Sequence, residues 1–101
     1  MTITVHARGF ALTDALHAHV LRRLQSAIGR LGRGVTRVAV RLTDLNGPRG
    51  GVDKRCQVQV SLADRAALVV HDTRSDLYAA VDHATNRTGL ALSRRLAARR
   101  R

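Results

Sequence analysis

Apolar residues recur along this chain with two periods, and the switches between them mark out six elements. Ile3, Val5 and Ala7 keep the two-residue period of a strand over residues 3–7, and Gly9 then gives the backbone freedom to turn. Thr13 is a good helix N-cap with Asp14 behind it in the first turn. Leu16, Val20, Leu24, Ala27, Ile28 and Leu31 follow at helical spacing. Gly29, Gly32 and Gly34 cluster at the end of that run and predict a stop near Leu31 or Arg33. Residues 35–45 return to alternation, with Val38, Val40 and Leu42 set against Arg37, Ala39, Arg41 and Thr43, the pattern of a strand covered on one face.

NGPRGG at 46–51 carries turn-favouring pairs but exceeds a two-residue hairpin, so an exposed, mobile loop is expected there. In residues 55–62, Cys56, Val58, Val60 and Leu62 take the inward parity. Ala63, Asp64 and Arg65 make a second turn, and residues 67–72 supply a fourth strand with Leu68 and Val70 inward. Ser75 is the expected cap of a second helix with Asp76 in its first turn. Leu77, Val81, Ala84, Thr88 and Leu92 form its narrow apolar stripe, with Leu90 off it and Gly89 costing about 1 kcal/mol relative to Ala. The order is βαβββα. Two amphipathic helices are the available cover for four short strands, which predicts an α+β, two-layer α/β sandwich. Its four-stranded mixed sheet carries both helices on one face, with a parallel first crossover and then an antiparallel meander. Residues 1–96 are read as one domain and residues 97–101 as a basic tail that frays.

Composition narrows the chemistry. In 101 residues, 18 Lys and Arg stand against 7 Asp and Glu, a net charge of +11, while aromatic residues make up 2%. The core is therefore aliphatic and a base-stacking platform is not expected. Projection of the first helix puts Arg22, Arg23, Ser26, Arg30 and Arg33 opposite its apolar stripe. On the second, His83, Arg87 and Arg94 share an arc, extended by Arg95 and the terminal arginines. Side-by-side helices would let both arcs border one shallow groove fit for a phosphate backbone. The competing reading is that these cations only solubilise two ordinary helices. Against it, the first helix holds Asp14 alone and the second only Asp76 and Asp82 near its start, so the later cations lack partners and repel one another unless a polyanion neutralises them. Arg37, Arg41, Arg49 and Lys54 form a second, lower-ranked set near the sheet and the 46–51 loop, read first as solubilising.

Other reactive types point away from catalysis. The one cysteine, Cys56, cannot form an internal disulfide and has inward parity. With His6, His17, His19 and His71 it makes no metal-ligand spacing. His17 falls near the apolar arc and His19 nearer the basic one. Asp76 and Asp82 read as a first-turn charge and a surface acid, and Tyr78 as a partly buried helix contact. No catalytic residue, metal or cofactor is expected. The start MTITVHARGF has no secretory pattern and no apolar run approaches the roughly 20 residues that span a bilayer, so a cytoplasmic protein without a membrane partner is expected.

DLYAAVDHATNRTGLALSRRL at 76–96, with Asp76, Tyr78, Ala79, Ala80 and Asp82 in a DxYAAxD-like arrangement, resembles the closing helix of the ribosome hibernation-promoting and ribosome-associated translation inhibitor family. TDALHAHVLRRLQSAIGRL at 13–31 and the strand order resemble the same family's small domain, in its short form. The resemblance implies a non-enzymatic partner of the small ribosomal subunit and ribosomal RNA that occupies the messenger and transfer RNA channel in resting cells. Arg22, Arg23, Arg30, Arg87 and Arg94 match family-like basic positions, and Leu90 stands where a basic residue is common. The chain is expected to be a monomer when free, with no small-molecule substrate and no ribosome dimerisation through the long form's extra domain. A general RNA-binding or RNA-chaperone domain and a protein–protein regulatory module are the alternative readings.

Overall fold

In the computed structural model, which describes residues 1–46 and 51–99, four strands and two helices follow in the expected order. They are β1 (Thr2–Arg8), α1 (Asp14–Ile28), β2 (Val35–Asp44), β3 (Lys54–Leu62), β4 (Arg65–Arg74) and α2 (Leu77–Arg99), with a 3-10 turn over Gly29–Leu31 after α1. The sheet runs β1-β2-β3-β4, parallel between the first two strands and antiparallel thereafter. Its register stacks the inward positions in rows: Ile3, Val38, Val60 and Leu68, then Val5, Val40, Val58 and Val70, then Ala7, Leu42, Cys56 and Asp72. Alternation along each strand sends these rows toward the helices and leaves the outer face to Thr, Arg, His and Gln.

The helices close that face. Leu16, Val20, Leu24 and Ile28 of α1 and Ala80, Val81, Ala84 and Leu92 of α2 are buried with the strand residues in one aliphatic core. Thr85 and Thr88 are wholly buried in it too. The Thr85 hydroxyl donates to the Val81 carbonyl and the Thr88 hydroxyl to the Ala84 carbonyl, each at 2.7 Å, so neither oxygen is left unsatisfied. Thr88 thus belongs to the apolar stripe as expected, while Thr85 widens it.

Thr13 caps α1, its Oγ1 accepting from the Leu16 amide at 3.1 Å. At α2 the cap is Asp76, not Ser75: its Oδ2 accepts from the Ala79 amide at 2.9 Å. The fourth strand is longer than residues 67–72, because a register shift between Val60 and Leu62 lets pairing continue to Arg65 at one end while Lys54 pairs with Arg74 at the other. The 46–51 loop expectation falls mainly on residues 47–50, which lie outside the described residues, as do Arg100 and Arg101. Among the described residues no helix is long and apolar enough to cross a membrane.

Gly89 is a packing requirement rather than a weak point in α2. A Cβ built on it would lie 2.7 Å from the Ala27 carbonyl oxygen of α1, which is backbone and cannot swing aside. Helix propensity alone would make Gly89→Ala stabilising by about 1 kcal/mol. The close helix contact reverses the sign: overpacking costs about 1–3 kcal/mol, and each kcal/mol lowers the melting temperature of a domain this size by about 4–8 °C. Gly32→Ala, whose Cβ meets nothing nearer than 3.5 Å, is the control. Thermal melts followed by circular dichroism are expected to show a lower midpoint for Gly89→Ala only; a raised midpoint would contradict the packing role.

Candidate nucleic-acid interface

Two clefts flank the outer surface of α2. One, of about 320 Å³, lies between the helices, with Gly89 among its lining and Ser26, Arg30, Asn86, Leu90 and Ser93 around it. The other, of about 180 Å³, lies between α2 and β4 and is lined by Val70, Arg87, Leu90, Ala91 and Arg94. Leu90, 53% exposed, borders both and stands as a ridge between them. The basic arcs therefore do not border one shared groove. Gly89 and Ser93 point to the α1 side of α2, and this turns Arg87 and Arg94 toward β4, so Arg30 serves the first cleft and Arg87 and Arg94 the second.

Carboxylates hold part of the cationic set. Arg87 Nη1 donates to the His71 carbonyl at 2.9 Å and to Asp72 Oδ2 at 3.3 Å. The same buried carboxylate accepts from Arg74 Nε at 2.6 Å. The Arg74 hydrogen bond outweighs the cost of burial and, with help from Arg87, keeps the Asp72 carboxyl below its ordinary value. Asp72 was not singled out from sequence, although it sits two residues beyond Val70 on the inward parity. On the α1 side, His19 Nε2 donates to Asp82 Oδ1 at 2.6 Å. Arg23 Nε lies 3.3 Å from that oxygen, near enough for an ion pair but off-line for a hydrogen bond. The Tyr78 ring tilts against His19 with centroids 4.9 Å apart. Asp82 is therefore a clasp between the helices and not a free surface acid. His17, expected near the apolar arc, is exposed.

Arg95 is also committed to the fold. Its Nη1 donates to the Ala66 carbonyl at 2.8 Å while its own carbonyl accepts from Arg65 Nη1 at 3.1 Å, a reciprocal tie between α2 and β4. Arg22, Arg30, Arg33, His83 and Arg94 are exposed and have no ion-pair partner among the described residues. Lys54 leaves the second basic set, because its Nζ reaches Asp53 at 2.7 Å and Asp44 at 3.1 Å; Arg49 lies outside the described residues. Cys56 is buried, and burial, with the Asp72 charge nearby, pushes its thiol up to about 12, which leaves it a poor nucleophile.

A small domain that spends its few acids on architecture and exposes arginine along two helices has the electrostatics of a polyanion binder. A family model described as "Sigma 54 modulation protein / S30EA ribosomal protein" matches residues 3–100. The chain belongs to this family. As a member of it, the chain is non-enzymatic. Its fold is shared with a ribosomal subunit interface protein from Coxiella burnetii at a TM-score of 0.82 and 18% identity, over 96% of this chain and 99% of that one. The N-terminal domain of Protein Y from Thermus thermophilus matches at a TM-score of 0.72 and 28% identity, over 93% and 98%. None of the curated proteins compared matches the chain.

The Asp72 contacts set a pH dependence. A carboxyl held below its unfolded value of about 3.9 stabilises the fold above that pH, and the contribution disappears as pH falls through the lower folded value. Asp72→Asn is expected to lose about 1.5–3 kcal/mol at pH 7, the range for hydrogen bonds to a charged group, with the gap from wild type narrowing as pH falls below about 4. Urea unfolding at pH 7 and pH 2.5 checks this; an equal gap at both would contradict the ion-pair assignment.

Proposed function

We propose that this protein is a non-enzymatic ribosome-binding translation inhibitor, a hibernation factor that occupies the messenger and transfer RNA channel of the small subunit through the basic face of α1 and α2. The observation that carries the reading is the exposed series Arg22 on α1, Arg30 in the 3-10 turn that follows it and Arg94 on α2, none with a carboxylate partner among the described residues. Arg33, expected on the first-helix arc, lies instead in the turn before β2, because α1 ends at Ile28, and among the described residues it too is exposed without a carboxylate partner. Arg87, half-exposed and tethered by Asp72, adds a preoriented cation. Arginine forks grip phosphate oxygens bidentately, and such contacts set position and affinity. Specificity comes from shape, since an RNA groove is read through its backbone and 2′-hydroxyls and the surface offers little aromatic area for stacking. Inhibition is then steric: a domain seated where RNA ligands pass excludes them without cutting or modifying RNA. Membership of a ribosomal protein family and the fold shared with a protein described as a ribosomal subunit interface protein support this reading. A cytoplasmic, ribosome-associated location goes with it.

Cosedimentation with isolated small subunits across a salt series tests it, comparing wild type with Arg87→Ala/Arg94→Ala. Each phosphate contact contributes about 0.7–0.9 to the slope of log affinity against log salt, so the double variant is expected to bind more weakly with a slope reduced by about 1.5. Unchanged binding would overturn the role of these arginines. Equal wild-type affinity for a free structured RNA and for the subunit would replace the ribosomal reading with a general RNA-binding one.

A further inference from the structure

The outer face of the sheet carries charge that the helical surface does not explain. The register brings Arg8, Thr43, Arg55 and Thr73 into one row and His6, Arg41, Gln57 and His71 into the next, with Arg37 beyond, opposite Thr2 and Ser61. Arg8, Arg37 and Arg41 are exposed and have no hydrogen-bond or ion-pair partner among the described residues. Arg55 is shielded, and its Nε meets no acceptor there, an unsatisfied donor that costs free energy until something accepts from it. No acidic residue shares the face. Asp14 and Asp76 sit at helix starts and Asp64 beside Arg65 in a turn; Asp44 and Asp53 hold Lys54, and Asp72 and Asp82 belong to the helix-facing layer.

We propose that this outer sheet face is a second RNA-backbone surface, so that the domain is gripped between two RNA segments, one against the helices and one against the strands. Strand geometry spaces the cations for an extended polyanion. Arg37 and Arg41, four residues apart, are separated by about 13 Å, and Arg8 and Arg55, flanking Thr43 on adjacent strands, by about 10 Å. A protein partner fits less well, because an interface needs a buried apolar anchor and Val69 is the one large hydrophobic residue exposed on the described part of this face. The contact is to phosphate and sugar and not to stacked bases, since the face carries no aromatic ring other than those of His6 and His71.

Arg37→Ala/Arg41→Ala removes two exposed cations that support no contact in the fold, and its melting temperature checks that folding is intact. Binding to small ribosomal subunits between 50 and 200 mM KCl, with the helical variant Arg87→Ala/Arg94→Ala alongside, reads the effect. The sheet variant is expected to lower the salt slope by about 1.5, at about 0.7–0.9 per contact, and its loss should multiply with that of the helical variant. The same loss is expected on protein-free small-subunit RNA. Wild-type affinity and slope for the sheet variant, with the helical variant weakened, would overturn this inference alone. Wild-type behaviour of the helical variant would instead overturn the role given to Arg87 and Arg94 in the proposed function. A loss seen on subunits but not on protein-free RNA would show that the face meets a ribosomal protein and overturn the RNA assignment.

Discussion

Four strands set about 4.8 Å apart make a surface that one helix cannot cover, and two helices cover it without a gap only if their axes come within about 8–10 Å. In this domain the approach is set where Gly89 meets the Ala27 carbonyl: a single methyl there would lie 2.7 Å from backbone oxygen. The rotation of α2 follows from that contact. With Gly89 turned to α1, Thr85, Thr88 and Leu92 fall over the sheet, Leu90 stands outward, and Arg87 and Arg94 lean over β4. A second tie, His19 to Asp82, lies about two turns nearer the start of both helices, so the pair runs parallel and is fixed at two points.

The distribution of charge follows from the same layer. Asp14 and Asp76 stand at the helix starts, where the macrodipole favours anions, and Asp82 joins the helices. Asp72 ties α2 to β4, while Asp44 and Asp53 hold Lys54 at the start of β3. Six of the seven acids then have a structural task, and cations outnumber the acids that could neutralise them. The later halves of both parallel helices therefore expose arginine at one end of the layer, where the concentrated positive charge attracts polyanions. Mutual repulsion among these groups is relieved by phosphate, which links a marginal cost in the free protein to affinity in the bound one.

Strands were legible because alternation reports burial directly: Val38, Val40, Val58, Val60, Leu68 and Val70 all take the expected side. The buried, inert Cys56 was legible in the same way. What escaped depends on partners distant in the chain. Gly89 looks unfavourable until Ala27 is beside it, and Asp82 looks like a surface acid until His19, 63 residues earlier, closes on it. Projection of an isolated helix finds the arc shared by His83, Arg87 and Arg94 but not the side on which the neighbouring helix lies, so one groove was expected where Leu90 divides two clefts. Ser75 and Asp76 are both good caps, and only the Ala79 amide distinguishes them.

Burial of Cys56 makes a direct test practical, because a cysteine introduced at exposed Ser93, beside the cleft between the helices, would be the one accessible thiol. Ser93→Cys carrying a short photo-crosslinker, mixed with small ribosomal subunits and irradiated, reports what lies against the helical face. Crosslinks to small-subunit ribosomal RNA, competed away by unlabelled protein, are the expected result. Crosslinks confined to ribosomal proteins, or none despite stable cosedimentation, would contradict an RNA-facing helical layer.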